Sequence, residues 1–428
     1  MAQSSLKRIN NRFILSFSMS NYLLYGGGTN LVVSSHQKLF NANEISYICI
    51  APFLLHGKMV DKLRDFWSLI IDGEQKGVLS TLHLIQFIKR IEAEGETLTA
   101  IHIHHWKDTD FECFQQIMNT LDGQVFMFIH DYSTVCSNFT LLRGSEFCGY
   151  GKLEESRCHG CEYYSDSLRK KMIYERIWNA LQKRIHFVFP SEVAQNVWIS
   201  AYPQYRHLCS VIPHQCCSGS YSGNMGETKE KLNIAYVGSR EHYKGWNVFL
   251  ELYNLKKNDK CFDWFYIGTD KTEIEGIQDI YADNRIDPMS MMNALRSNKI
   301  DVAVLWSLCK ETYSYTYFEC FSANVFVVTN KNSGNIAFQV EKNGNGMVAD
   351  SIGDLLDLTN EELKKKIDLF KYGKLRGPET LSTNKQILNC SLPFEVKDAV
   401  LPKRIRCNIV ESALLLLEKL IPAIRGKK

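Results

Sequence analysis

Two kinds of apolar pattern alternate along the chain. Short, nearly continuous apolar runs predict buried strands, and stretches with an apolar residue every three or four positions predict helices. Arg12–Ser18 reads as a strand, after which Gly26-Gly27-Gly28-Thr29 leads into a helix through Leu31, Val32, Ser35 and Leu39. Tyr47–Phe53 and Phe66–Ile71 predict further strands, and Thr81–Glu94 carries Leu82, Ile85, Ile88 and Ile91 at helical spacing. A strand at Leu98–His104, a helix at Phe111–Leu121, strands at Gln124–Ile129 and Ile185–Phe189, and a helix at Glu192–Tyr202 follow. Gln215–Glu230 is different: it is rich in Ser and Gly and lacks long apolar runs. The alternation then restarts with a strand at Leu232–Val237, a helix at Trp246–Leu255, a strand at Phe262–Ile267, a helix at Pro288–Ser297 and a strand at Val302–Leu305. Asn408–Leu420 reads as a last helix that Pro422 would end.

Strands that alternate with helices imply βαβ units and largely parallel sheets, so the fold class is α/β. The restart divides the chain into an α/β unit over 1–214, a linker over 215–230, a second α/β unit over 231–407 and a closing helix over 408–428. Two such units face each other across a cleft. Ligands of open α/β sheets sit at the carboxyl ends of the strands, so the loops after the strands are where chemistry is expected.

Composition narrows the function classes. Lys and Arg exceed Asp and Glu by a net charge of +3, too balanced for wholesale nucleic-acid binding. No apolar run reaches the ~18 residues of a membrane span; the leucines at 414–417 are followed at once by Glu418 and Lys419. Lys7 and Arg8 before Phe13-Ile14-Leu15 resemble a secretory leader. Ser16, Ser18, Ser20 and Asn21 interrupt that stretch, and no small-residue cleavage site follows, which favours a first strand. The fourteen cysteines are then expected to be reduced thiols or metal ligands in a cytoplasmic protein.

Three post-strand segments carry candidate chemistry. In Lys310-Glu311-Thr312-Tyr313-Ser314-Tyr315-Thr316-Tyr317-Phe318-Glu319, two carboxylates flank a loop-to-helix transition. So placed they could hold sugar and ribose hydroxyls, although two surface glutamates would give the same spacing. Val237-Gly238-Ser239-Arg240-Glu241-His242-Tyr243-Lys244-Gly245 is a strand, a tight turn with two cations, then a helix. A helix N-terminus with Arg and Lys suits a diphosphate; a solvated charged turn is the plainer alternative. The run Gly26–Gly28 permits close backbone approach to a ligand but completes neither a P-loop nor a dinucleotide fingerprint.

Taken in order, these features resemble the family-4 glycosyltransferases, retaining enzymes of the GT-B fold. Glu311-x7-Glu319 looks like the family's paired-glutamate motif, and the run from Glu311 to Thr316 resembles a variant found in bacterial polysaccharide-assembly members. Val237–Gly245 is similar to its phosphate-gripping turn, and Asn343-Gly344-Asn345-Gly346 to a loop late in the donor unit. Gly26–Thr29 and His130-Asp131-Tyr132 correspond in the first half. The resemblance implies two Rossmann-like domains, a nucleotide-sugar donor held by the second, and a glycan or lipid-linked glycan acceptor on the side of the first. It gives Lys244 the donor diphosphate, Glu319 the ribose, Glu311 the transferred sugar and His130 the sugar or acceptor side. It places Gly26, Gly27, Gly28, Arg240, Tyr315 and Thr316 around the donor. Ser239 stands where the family usually has arginine, with Arg240 one position later, and Asn324 and Phe326 replace its usual Gly and Pro. The implied chemistry is departure of a nucleoside diphosphate from an oxocarbenium-like sugar, without a catalytic metal. A nucleotide-sugar epimerase of the same architecture and a catalytically silent glycan-binding protein are the alternatives.

Asp108-Thr109-Asp110 is a D-x-D tripeptide, a weak motif more often a solvated loop. Cys136, Cys148, Cys158 and Cys161, the last two as C-x-x-C, crowd one loop region and could hold a structural zinc through four thiolates. His104 and His105 follow a strand and are candidates for acceptor contact. Lys427 and Lys428 after Ile421 and Ile424 would allow weak peripheral association with the inner face of a membrane, or simply end the chain.

Overall fold

The computed structural model describes residues 11–149, 155–220, 231–356, 360–371, 377–391, 408, 410–415 and 417–418. Its first half holds an eight-stranded sheet. The strands are β1 (Arg12–Phe17), β2 (Ser46–Pro52), β3 (Phe66–Ile71), β4 (Glu74–Ser80), β5 (Thr97–Ile103), β6 (Gln124–Phe128), β7 (Ile185–Phe189) and β8 (Cys209–Val211). They lie in the order β8-β7-β6-β5-β1-β2-β3-β4, all parallel except for the antiparallel pairs β2–β3 and β3–β4. β2 is buried at every residue, as strands covered on both faces must be, hence its unbroken apolar run. β4 was missed by the apolar pattern because this edge strand begins Glu-Gln-Lys. Its signal was the Asp72-Gly73 pair, where φ of 52° and 81° gives the left-handed turn that closes a hairpin. Flanking helices include α1 (Gly28–Asn41), α2 (Thr81–Ala93), α3 (Phe111–Met118), α4 (Tyr164–Leu181) and α5 (Glu192–Ala201).

The second half repeats the architecture with six strands: β9 (Leu232–Val237), β10 (Phe262–Gly268), β11 (Ile277–Tyr281), β12 (Val302–Val304), β13 (Phe326–Asn330) and β14 (Gly346–Ala349). Their order is β11-β10-β9-β12-β13-β14, every pair parallel. Helices α6 (Trp246–Lys256), α7 (Ser290–Ser297), α8 (Tyr315–Ser322) and α9 (Asn335–Asn343) cover it. Separate apolar clusters fill the two faces of this sheet, one around Phe249 and Trp264, the other around Leu295 and Tyr317.

The stretch read as a linker begins instead as a strand: Gln215–Ser218 pairs antiparallel with Thr380–Thr383. Of that linker, 221–230 lie outside the described residues, as do Lys427 and Lys428. Of the expected last helix, 410–415 and 417–418 are helical. It returns to the first sheet, where Leu414 packs with Phe53 and Val78 and Glu411 accepts the Ser80 amide at 2.9 Å. Among the described residues no helix is long and apolar enough to cross a membrane.

Candidate active site

Carboxyl-terminal strand ends from both sheets open onto one cleft, and each functional loop starts there. After β9 the chain makes a turn, with Gly238 at φ 107° close to Thr316, and ends it at Gly245, the left-handed residue that starts α6. A Cβ on Gly245 would stand 2.0 Å from the Trp306 carbonyl oxygen, so only glycine allows this turn to lie on the loop after β12. The contact sets Lys244 against Glu311: Nζ and Oε1 are 2.6 Å apart, and Ser307 Oγ donates to the same oxygen at 3.0 Å. Glu311 is pinned by its backbone, which bridges to Gly334 at φ 67°; a Cβ there would come within 2.6 Å of the Glu311 nitrogen. Burial alone would lower the Lys244 ammonium, but the Glu311 carboxylate, with Cys309 and Tyr243, holds it above its ordinary range.

Downstream, Ser314 caps α8 by accepting the Tyr317 amide, and the helix's first residues, Tyr315 and Thr316, line a cavity of about 430 Å³ with Lys244 and Glu311. Amides in a first helical turn lack intrahelical partners and favour an anion there. Behind α8, Tyr317 donates to Asn345 Oδ1 at 2.6 Å and accepts from Asn343 Nδ2 at 2.9 Å, so the 343–346 loop supports the helix from outside the cavity. Asn324 adopts φ 59°, the left-handed conformation that explains how asparagine stands in for a glycine.

Glu319 lies one turn further along and is buried. Asn284 donates to its Oε1, yet burial dominates and lifts the carboxyl to about 7. It opens on a neighbouring cavity of about 510 Å³ shared with Asn284, Arg285 and the Gly26–Gly27 loop. In that loop Gly27 has φ 115°, Asn30 Nδ2 donates to the Tyr25 and Gly26 carbonyls, and Gly28 faces open space. Arg285 approaches Gly26 from the opposite half, its Nη1 3.0 Å from where a Cβ would lie.

At the other end, a third cavity of about 210 Å³ contains His130, Lys244 and Glu311 together. The His130 carbonyl accepts the Thr312 hydroxyl, so the two halves meet through a hydrogen bond at the centre of the cleft. Burial, with His214 and His105 nearby, keeps the His130 imidazole well below its ordinary range and therefore neutral.

The structure thus gathers Gly26–Gly28, His130, Lys244, Glu311, Tyr315, Thr316 and Glu319 along one continuous cleft. It does not bring Arg240 there. That guanidinium is bound to Asp270 and stacks near Trp246 and Tyr266. Arg285, held by the buried Asp283 and 60% exposed, lines the same cavity as Lys244; no motif marked it. His105 is engaged by Asp131 at 3.2 Å, and His104 is buried at 1% exposure. Asp110 is a helix cap, accepting the Glu112 and Cys113 amides ahead of α3. Cys136, Cys148, Cys158 and Cys161 line one cavity of about 390 Å³, and none of them is in a disulfide. Among the described residues, the group whose possible ligand atoms all lie within 4.8 Å of one another is His36, His102 and His104.

The chain is similar in structure to sucrose-phosphate synthase from Thermosynechococcus elongatus, at 11% identity, with 85% of this chain and 95% of that one covered and a TM-score of 0.55. It is also similar to Anabaena HepE in complex with UDP-glucose (11% identity, 97% and 100% covered, TM-score 0.49). A third similar structure is a glycosyltransferase from Rickettsia africae (12%, 84% and 92%, 0.48). No family model and no curated protein matches the sequence. The likeness is one of fold: the chain has the two-sheet GT-B fold of the first of these structures.

Proposed function

We propose that this chain is a retaining glycosyltransferase that moves a hexosyl group from a nucleotide-sugar donor to a glycan or lipid-linked glycan in surface polysaccharide assembly at the cytoplasmic side of a membrane. One observation carries the reading. Lys244 and Glu311 form a bonded pair where strand ends of both sheets meet, between the His130 end of the cleft and Glu319. In this reading the second half, 231–407, holds the donor and the first, 1–214, the acceptor.

Each residue then has a task set by its place. Glu319 accepts ribose hydroxyls in the larger cavity, beside Asn284 and Arg285. Lys244, the first turn of α8 and the Gly238–Ser239 backbone receive the diphosphate. As the bond from the sugar's anomeric carbon to the diphosphate breaks, negative charge grows on the departing oxygen and the Lys244 ammonium stabilises it; one such preorganised donor contributes about 100- to 1,000-fold in rate. The acceptor hydroxyl bonds to the same carbon from the leaving-group face, and its proton passes to the departing phosphate. Glu311 orients the sugar, and His130, neutral, hydrogen-bonds on the acceptor side. Nothing in this sequence of events calls on a metal. Measuring donor turnover in the wild type and in Lys244→Ala and Glu311→Ala tests it; wild-type turnover in both variants removes the proposed site, and binding without turnover in the wild type favours a glycan-binding protein.

A further inference from the structure

Inside the first half, next to the His130 end of the cleft, three imidazoles converge. His36 comes from α1, His102 from β5 and His104 from the residue after that strand; they are 4%, 0% and 1% exposed, and their ligand nitrogens lie within 4.8 Å of one another. Tyr47 on β2 adds a fourth ligand atom: its hydroxyl donates to Ser16 Oγ at 3.1 Å and lies 3.3 Å from His102 Nδ1 and 3.0 Å from His104 Nε2. Donors on a tetrahedral zinc with bonds of about 2.0–2.1 Å stand about 3.3 Å apart, which places the centres of coordinating imidazoles about 5 Å apart. The ring centroids here are separated by 5.2 Å (His36–His104), 6.0 Å (His102–His104) and 6.1 Å (His36–His102). The four groups therefore form a cage that closes with side-chain shifts of about 1 Å.

Two further observations point to an occupant. His36 Nδ1 is buried without a hydrogen-bond partner, a state that folded proteins avoid. His104 has its second nitrogen, Nδ1, 3.0 Å from His130 Nε2, the arrangement in which a metal-bound imidazole hands its remaining N–H to an outer partner.

We propose that His36, His102, His104 and Tyr47 hold a zinc ion in a closed structural site. Three nitrogens and one oxygen suit zinc, and protein groups fill all four positions, leaving none for substrate. On binding, the Tyr47 O–H bond, directed at Ser16 Oγ, breaks, its proton is carried out to bulk water as the ion enters, and the zinc–oxygen bond forms. The ion would tie α1 to β2 and β5 and, through His104, fix the tautomer of His130. This inference is independent of the glycosyltransferase reading.

The test is metal analysis and zinc-edge X-ray absorption on the full chain, purified without chelator and supplemented with zinc. The expected result is about one zinc per chain with a nitrogen/oxygen shell at about 2.0–2.1 Å, lost in His36→Asn and kept in Cys158→Ser. A sulfur shell at about 2.3 Å would instead place the ion at Cys136, Cys148, Cys158 and Cys161 and overturn the proposal, as would a metal-free chain after supplementation. Because the absorption spectrum is taken on the unaltered protein, a variant that fails to fold does not obscure the outcome.

Discussion

The bonded pair of Lys244 and Glu311 makes a prediction that a simple list of site residues would not. In the free protein the ammonium is already committed to the carboxylate at 2.6 Å, and a nucleoside diphosphate must compete for it. A hydrogen bond between charged groups contributes about 1.5–3 kcal/mol. The Glu311 side chain is 8% exposed but that of Lys244 is 35% exposed, so solvent screening reduces the hold to about 1–1.5 kcal/mol. Glu311→Gln keeps the shape and removes the competing charge. It should therefore tighten affinity for the free nucleoside diphosphate about five- to tenfold, while turnover of the nucleotide sugar falls. Lys244→Met should weaken that affinity and lower turnover about 100- to 1,000-fold. Calorimetric titration with the diphosphate, beside a donor-turnover assay, reads both quantities. Weaker diphosphate binding by Glu311→Gln would mean that this carboxylate contacts the nucleotide rather than the sugar, and the competition argument would be refuted.

Three other outcomes follow from the geometry. Burial raises Glu319 from 4.5 to about 7, so the folded chain keeps a proton that the unfolded chain has released; this contribution to stability is complete below about pH 4.5 and is lost as pH rises through 7. Between pH 5 and pH 8 the loss amounts to about 2.5 kcal/mol, and denaturant unfolding at those two values should show it in the wild type but not in Glu319→Gln. Gly334→Ala should abolish donor turnover with Lys244 and Glu311 both intact, because the added methyl displaces the Glu311 backbone; a fully active variant would show that Glu311 need not be held there. Arg285→Ala should weaken donor affinity about tenfold, whereas Arg240→Ala, which breaks a partly exposed pair with Asp270, should change it about twofold at most. The reverse order, measured by titration, would restore Arg240 to the site.

The parallel strands were legible in the sequence because burial on both faces writes itself as an apolar run: Ile185–Phe189 and Leu232–Val237 have the bounds their pattern predicts. Glu74–Ser80 was not, since an edge strand begins with polar residues, and α4 was obscured by charged positions along most of its surface. At the site, local motifs located Lys244 and Glu311 because each sits just after a strand whose end faces the cleft. Arg285 escaped notice because its position depends on Asp283 and on the other half's glycine loop, neither of which leaves a mark on its neighbours. Arg240 was misleading for the converse reason. Asp270, at the end of the adjacent strand β10, draws it away. The convergence of His36 with His102 and His104 likewise arises only when α1 packs on the sheet.

The central claim is that the cleft binds a nucleotide sugar and breaks its bond to the diphosphate. A thermal-shift panel of nucleotide sugars, followed by a diphosphate-release assay on whichever one stabilises the chain, tests it most directly. At a hundred times its dissociation constant, the true donor adds about 2.7 kcal/mol of stability, which for a domain of this size raises the melting temperature by about 5–10 °C. Such a shift is expected for one donor class, with diphosphate release that Lys244→Met suppresses. A panel in which no nucleotide sugar shifts the transition, or a release rate indifferent to Lys244, would contradict it.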